Sequence, residues 1–308
     1  MNPTFAELLM SQSKITADLL LSAAFLKRFL WDQAHIRHSK WAPLIKKTQL
    51  RSSTTLFQDR EFELLDFFPI SMSGLWSLFL RKGFPNTLRF KSCLDGFFRD
   101  RSDPGVLKAA YEEAAFFYCL RLMLAYERYS MVVEYLDTLF ALHGSGTSSL
   151  SRWKVLDYGC GVSDIGLLLA LLGAEVTICD LADPKLSFAE SRYRRRKLNV
   201  EVIPIEDPEE SLSLNKNYYD LVAATEVLEH VRDPLQCLEV LTGALRSGGL
   251  LFNSMGNGFD RDVGGDHLES AICIGKSKEY QRYYQTNYVP LGESESMNYL
   301  SRKADVQT

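Results

Sequence analysis

The pattern of apolar and polar positions changes near residue 150. Ahead of that point apolar residues fall at helical spacing. Leu19, Leu20, Ala23, Phe25, Leu26, Phe29 and Leu30 form one set, and Tyr111 to Phe140 is a long apolar-rich stretch without glycine or proline, which the 3.6-residue period reads as one bent helix or two. Asp103, Pro104 and Gly105 make the turn that opens this stretch. Beyond residue 150, short apolar runs end at Asp157 and Asp180 and recur at Val200 to Ile205, Leu221 to Ala224 and Leu250 to Met255, with helical segments between. Strands alternating with helices call for a mostly parallel sheet covered on both faces. The small polar strip His143 to Ser151 separates the two patterns, so an α-helical domain is predicted over residues 1–148 and an α/β domain over residues 149–308.

The first strand of the second half runs into VLDYGCGVSDIG, Val155 to Gly166. Asp157 closes the strand, and Gly159 and Gly161 let the backbone turn sharply and lie against a ligand where a side chain would collide. A dinucleotide dehydrogenase requires a third glycine three residues after the second. That position is Asp164, which excludes the dehydrogenase fingerprint.

The segment resembles instead the glycine loop of class I S-adenosylmethionine-dependent methyltransferases, and four later segments resemble the family's further motifs in the same order. The resemblance implies that the loop holds the amino-acid end of the cofactor and that Asp157 organises its ammonium group. In AEVTICDLAD the strand Glu175 to Cys179 ends at Asp180, whose carboxylate can accept both ribose hydroxyls, and Leu181 is expected against the adenine. After the strand Val200 to Ile205, either Glu206 or Asp207 is expected to accept from the adenine amino group, the alternative being a solvated acidic loop. YYDLVAATEVLEHVRDP carries the strand Leu221 to Ala224, then Thr225 and Glu226 as cofactor contacts, opening into a helix with Glu226, Glu229, His230 and Val231. This string is similar to the fourth motif of the quinone-type and other small-molecule methyltransferases. In LTGALRSGGLLFNSM a helix ends over Leu241 to Leu245, Gly248 and Gly249 supply the turn, and Leu250 to Met255 form the next strand. Tyr288 to Leu291 and Met297 to Ser301 are expected to pair around the turn Gly292 to Glu295. The implied architecture is Rossmann-like, a seven-stranded mostly parallel sheet with the last strand reversed.

Methyl transfer from S-adenosylmethionine is an in-line attack on an already activated sulfonium methyl, so positioning and exclusion of water matter most. A hydroxyl acceptor still has to lose its proton. The expected bases are His267, in the glycine-rich loop GNGFDRDVGGDHLES, and His230. His35, His38 and His143 have no supporting context. The aromatic residues of the helical half read first as core, while its place ahead of the glycine loop suits a lid over the acceptor, with Tyr111, Tyr118, Tyr126 and Tyr129 as expected pocket residues. The expected acceptor is a small molecule methylated at a hydroxyl oxygen.

Two other readings compete. Glu226, Glu229, His230 and His267 also resemble the divalent-cation set of the Hen-type small-RNA 2′-O-methyltransferases, and two carboxylates with two imidazoles are sound metal ligands. The basic runs Arg192, Arg194, Arg195, Arg196, Lys197 and Arg37, Lys40, Lys46, Lys47, Arg51 could follow a phosphate backbone. The net charge is −4, and solvated helix faces explain such runs without nucleic acid. The expectation is therefore no metal and no nucleic acid. A non-catalytic cofactor-binding module is the remaining class, and Asp157, Gly159, Gly161 and Asp180 predict that cofactor binding is retained.

Composition adds little. A chain of 308 residues with 46% hydrophobic and 24% charged residues is ordinary for a globular protein. The six cysteines form no C-x-x-C pair, and no disulfide framework is expected. Glu7, Lys14 and Asp18 interrupt any secretory apolar core, and Phe67 to Leu80 is shorter than the about 20 residues a spanning helix takes. A soluble, cytoplasmic enzyme is expected, its oligomeric state open.

Overall fold

The apolar run ahead of the glycines folds as β1, Lys154–Tyr158, the centre of a sheet. The computed structural model describes residues 39–53, 56–68, 115, 118–119, 122–123, 127–143, 150–207, 212–254, 267–291 and 298–304. The expected helical set Leu19 to Leu30, the turn at 103–105 and the turn at 292–295 lie outside the described residues.

In chain order the described elements are α1 (Ala42–Lys47), α2 (Leu56–Phe67), α3 (Glu127–His143), β1, α4 (Asp164–Leu171), β2 (Glu175–Leu181), α5 (Pro184–Arg195), β3 (Glu201–Ile205) and β4 (Tyr219–Thr225). A 3₁₀ turn at Leu228–His230 follows, then α6 (Pro234–Ala244), β5 (Leu245–Ser254), α7 (Glu269–Gly275), α8 (Lys278–Asn287), β6 (Tyr288–Leu291) and β7 (Asn298–Lys303). The sheet order is β3-β2-β1-β4-β5-β7-β6. Strands β1 to β5 pair in parallel, and β7 runs antiparallel to both β5 and β6. The sheet therefore has seven strands with only the last reversed, as expected.

Because successive strand residues point to opposite faces, the buried strands feed two apolar layers. Val155, Leu221, Ala223, Leu250 and Phe252 pack in one cluster with Leu168 of α4, Ala189 of α5, Trp41 at the N-cap of α1 and Leu136 of α3. Leu156, Val222, Ala224 and Leu251 pack on the other face with Leu238 and Leu241 of α6, Ala271 of α7 and Tyr280 of α8. Each fully buried aliphatic or aromatic side chain contributes roughly 1.5–3 kcal/mol. One continuous cluster thus joins the helices ahead of residue 150 to the sheet.

Helices α5 and α6 start where their caps dictate. Asp183 accepts from the amides of Lys185 and Leu186, and Asp233 from those of Leu235 and Gln236, with Pro184 and Pro234 in the first turns. Such caps stabilise by about 1 kcal/mol each. One boundary differs from expectation. Strand β5 begins at Leu245, and the pairing jumps from Tyr219–Leu245 to Leu221–Leu250, so residues around Gly248 bulge out of the ladder instead of forming a separate turn. Gly248, at φ +67°, supplies the left-handed residue that the bulge needs.

Candidate cofactor and acceptor site

Beyond β1 the chain turns through Gly159 and Gly161, at φ +62° and +56°. The amides of Gly159 and Cys160 both donate to the Cys179 carbonyl, at 2.7 and 3.2 Å, which ties the loop to β2. A Cβ on Gly159 would lie 2.3 Å from Val227 Cγ2, and one on Gly161 would lie 2.9 Å from Leu122 Cδ1. The glycines are required both by conformation and by this close apolar cover.

Asp180, at the end of β2, meets the loop directly. Its Oδ2 accepts from the Gly161 amide at 2.7 Å and its Oδ1 from the Leu181 amide at 2.7 Å. A carboxylate has about four lone-pair sites, so two remain for a diol once these amides are bound. The donor set and the backbone cradle fit the ribose end of S-adenosylmethionine. Leu181 is half-buried beside Asp180, while Glu206 and Asp207 follow β3 and are exposed. Thr225 is buried at the end of β4.

Asp157 lies beneath the loop, 3% exposed. Its Oδ2 accepts from the Ser163 hydroxyl at 2.7 Å and the Gly166 amide at 3.1 Å, and Ser163 Oγ lies 2.8 Å from Tyr193 Oη. Burial pushes the Asp157 carboxyl up to about 7, against the opposing effect of those two hydrogen bonds. A Cβ on Gly166 would fall within 2.8 Å of Tyr193 Oη, Ser163 Oγ and Asp157 Oδ2, so the hydroxyl network takes up that space. Ser163 itself is left-handed, at φ +52°.

Several residues of this region escaped the sequence reading. Lys185 is buried, its Nζ bonded to Asp183 Oδ2 and 3.8 Å from Asp180 Oδ1. Burial works against its charge, but the two carboxylates prevail and raise its pKa above the usual lysine value. The signal was available in Asp183-Pro184-Lys185, since a lysine in the first turn of a capped helix lies within reach of its own cap.

On the far side of β4 the expected helix does not form. Glu226 takes a left-handed φ of +55°, and the 3₁₀ turn Leu228–His230 is followed by Val231 in extended backbone and the Asp233 cap of α6. Glu226, Glu229 and His230 therefore do not share a helical face. The positive φ, costing on the order of 1–3 kcal/mol in a residue other than glycine, sits at a candidate site, where such strain concentrates. Tertiary contact brings in His267. The Leu268 amide donates to the Glu229 carbonyl at 3.1 Å, and the His230 and His267 rings stand 5.0 Å apart at 71°. Glu229, fully buried, and the two histidines place one ligating atom each within 4.8 Å of one another, and Glu226 is not in this group.

Of the four tyrosines assigned to the acceptor, Tyr118 is buried among Leu156, Tyr158, Cys179 and Leu228. Tyr111 and Tyr126 lie outside the described residues, and Tyr129 falls in α3. The basic run on α5 is not a solvated face throughout. Arg192 is 1% exposed and bonds Asp164 Oδ1 at 2.8 Å, and Arg196 pairs with Glu63 of α2 at 2.5 and 3.0 Å. Of that run, Arg194 and Lys197 are exposed.

Residues 156–253 match a family model described as a methyltransferase domain. The ubiquinone biosynthesis O-methyltransferase of Nitrosomonas europaea is 35% identical over 112 residues, 34% of this chain and 44% of the relative. That of Colwellia psychrerythraea is 30% identical over 125 residues, 40% and 50%. The chain thus spans at most half the length of these relatives. Among solved structures, an S-adenosylmethionine-dependent methyltransferase from Mesorhizobium loti aligns at 22% identity and TM-score 0.31, over 34% of this chain and 47% of that one. The PH0226 protein from Pyrococcus horikoshii aligns at 18% and 0.42, over 58% and 92%. The matched segment runs from β1 to β5 and includes the glycine loop, Asp180 and the turn after β4, so this part of the chain is similar to a methyltransferase domain.

Proposed function

We propose that this chain transfers the methyl group of S-adenosylmethionine to a hydroxyl oxygen of a small molecule. The observation that carries the reading is the 2.7 Å bond from the Gly161 amide to Asp180. It unites a backbone turn able to lie against the cofactor's amino-acid end with a carboxylate able to hold its ribose. When bound, the cofactor supplies an electrophilic methyl on a sulfonium. The chain's own part is to bind, align and dehydrate. Asp157, Gly159 and Gly161 serve the amino-acid end, Asp180 the ribose, Leu181 with Glu206 or Asp207 the adenine, and Thr225 and Glu226 the neighbourhood of the methyl.

His267 or His230 takes the acceptor proton, the two rings standing 5.0 Å apart and both close to Glu229. The helices ahead of β1 close the acceptor side, with Tyr118 the pocket residue supported by its place in the same buried cluster as Tyr158 and Leu228. The inward ion pairs of Arg192 and Arg196 favour a small-molecule acceptor over nucleic acid, because they take the α5 run away from any phosphate backbone. Among the described residues no helix is long and apolar enough to cross a membrane, in keeping with a cytoplasmic enzyme.

Labelled-methyl transfer into fractionated extract tests the reading. A labelled small-molecule ether is expected. Label confined to RNA or protein, or binding of the donor with no transfer to any fraction, would replace it with another methyltransferase class or a non-catalytic module.

A second reading is favoured by the convergence of Glu229, His230 and His267. One carboxylate and two imidazoles suit a divalent transition metal, which would lower the pKa of an acceptor hydroxyl bound to it. Activity abolished by chelation and restored by a divalent cation supports this reading. Activity that survives exhaustive chelation leaves the histidines as bases.

A further inference from the structure

Asp164 opens α4 directly after the glycine loop, and its carboxylate is buried between two arginines from different parts of the chain. Arg60 of α2 grips it in a fork, Nη1 to Oδ1 and Nη2 to Oδ2, both at 2.9 Å. Arg192 of α5 approaches Oδ1 at 2.8 Å and also holds the Val162 carbonyl within the loop. The arginines leave the carboxylate strongly acidic in spite of burial, which alone would raise its pKa. Arg60 does more than neutralise. Its Nη2 donates to the Leu122 carbonyl at 3.1 Å and its Nε to the Met123 carbonyl. Leu122 is the residue whose Cδ1 lies over Gly161. One guanidinium, 2% exposed, therefore joins α2, the segment covering the glycines, and the end of the loop itself.

We propose that Arg60 is a positioning residue of the cofactor pocket, holding Leu122 against Gly161 and fixing the loop through Asp164, so that donor affinity depends on helix α2. The inference rests on the proposed cofactor site. A planar fork serves four acceptors in fixed directions, which a lysine ammonium cannot reproduce. Arg60→Lys keeps the charge and removes the geometry, and Leu122→Ala leaves Arg60 in place and removes what it positions.

The test is calorimetric titration of the full chain with S-adenosylmethionine, paired with hydrogen exchange of the ligand-free protein. Both variants are expected to weaken donor binding, Arg60→Lys by ~10-fold or more, the scale of one lost hydrogen bond to a charged group. In Arg60→Lys the amides of Val162 to Gly166 are expected to exchange faster while those of β1 and β4 keep their protection. A general structural role would instead loosen core and loop together. Wild-type donor affinity in Arg60→Lys with unchanged loop exchange overturns the proposal and leaves the cofactor site standing. A wild-type chain that does not bind the donor overturns both. If Arg60→Lys fails to fold, Leu122→Ala decides by the same two measurements.

Discussion

The two ends of the candidate site are made by different means. The proposed cofactor side is built from backbone and from two neighbouring strand ends, where the Gly159 amide donates to the Cys179 carbonyl and the Gly161 amide to Asp180. The proposed acceptor side draws instead on side chains of a 3₁₀ turn, of the segment ahead of α7 and of the residues before 150. A site made by backbone turns needs particular residue types at fixed spacing. A site made by tertiary contact leaves no such spacing. The cofactor side should therefore yield to single changes that remove binding altogether, and the acceptor side to changes that alter rate or acceptor affinity while the donor still binds.

Gly159→Ala is expected to give the largest effect. The added methyl would press on Val227 at a left-handed φ, and donor affinity should fall by ~100-fold or more, since neither the backbone nor its apolar cover has another position to take. Calorimetry reads this directly, and near-normal binding would break the backbone account of the cofactor side. Next in size, His267→Ala should lower the transfer rate by roughly 100-fold, the scale of a lost general base, with donor affinity retained. An equal loss of donor binding would erase the distinction between the two sides. Tyr118→Leu should raise the acceptor KM by about 10-fold with little change in donor affinity, as expected when binding to one substrate alone is lost.

A last effect concerns pH and bears on stability instead of on binding or rate. Asp157 holds its proton up to about 7 in the folded chain, against about 3.9 when unfolded. Between those values the folded state binds more protons than the unfolded state. Stability therefore falls as pH rises from about 4 to about 7, by up to about 1.4 kcal/mol per pH unit. Asp157→Asn should remove that part of the slope. Denaturant titrations at pH 5, 6 and 7 that give parallel trends for both proteins would show Asp157 ionised throughout.

Legibility in the sequence followed the same division. The turn of Gly159 and Gly161 between the strand ends at Asp157 and Asp180 was readable because a tight turn at a strand end restricts which residues can occupy it, and the apolar runs located β1 to β5. The helix expected at Glu226 to Val231 was misread. Its spacing suited a helix, but the left-handed φ at Glu226 and the capped start of α6 at Asp233 leave room for only one 3₁₀ turn. Helices α7 and α8 were not anticipated, α8 being largely polar and partly exposed. Nothing local announces that Arg60 reaches Asp164, because a buried ion pair between residues 104 positions apart has no period. Arg192 and Arg196 carried a misleading signal for the same reason, since a basic run reads as surface until its carboxylate partners are located.

The central claim, that β1 and β2 end in a pocket for S-adenosylmethionine, is tested most directly by titrating the wild-type chain and Asp180→Ala with that nucleoside in a calorimeter. Saturable binding at one site is expected for the wild type, with affinity ~10-fold or more weaker for Asp180→Ala, the scale of two hydrogen bonds to a charged acceptor. No heat from the wild-type chain, or equal affinity in the two proteins, would contradict it.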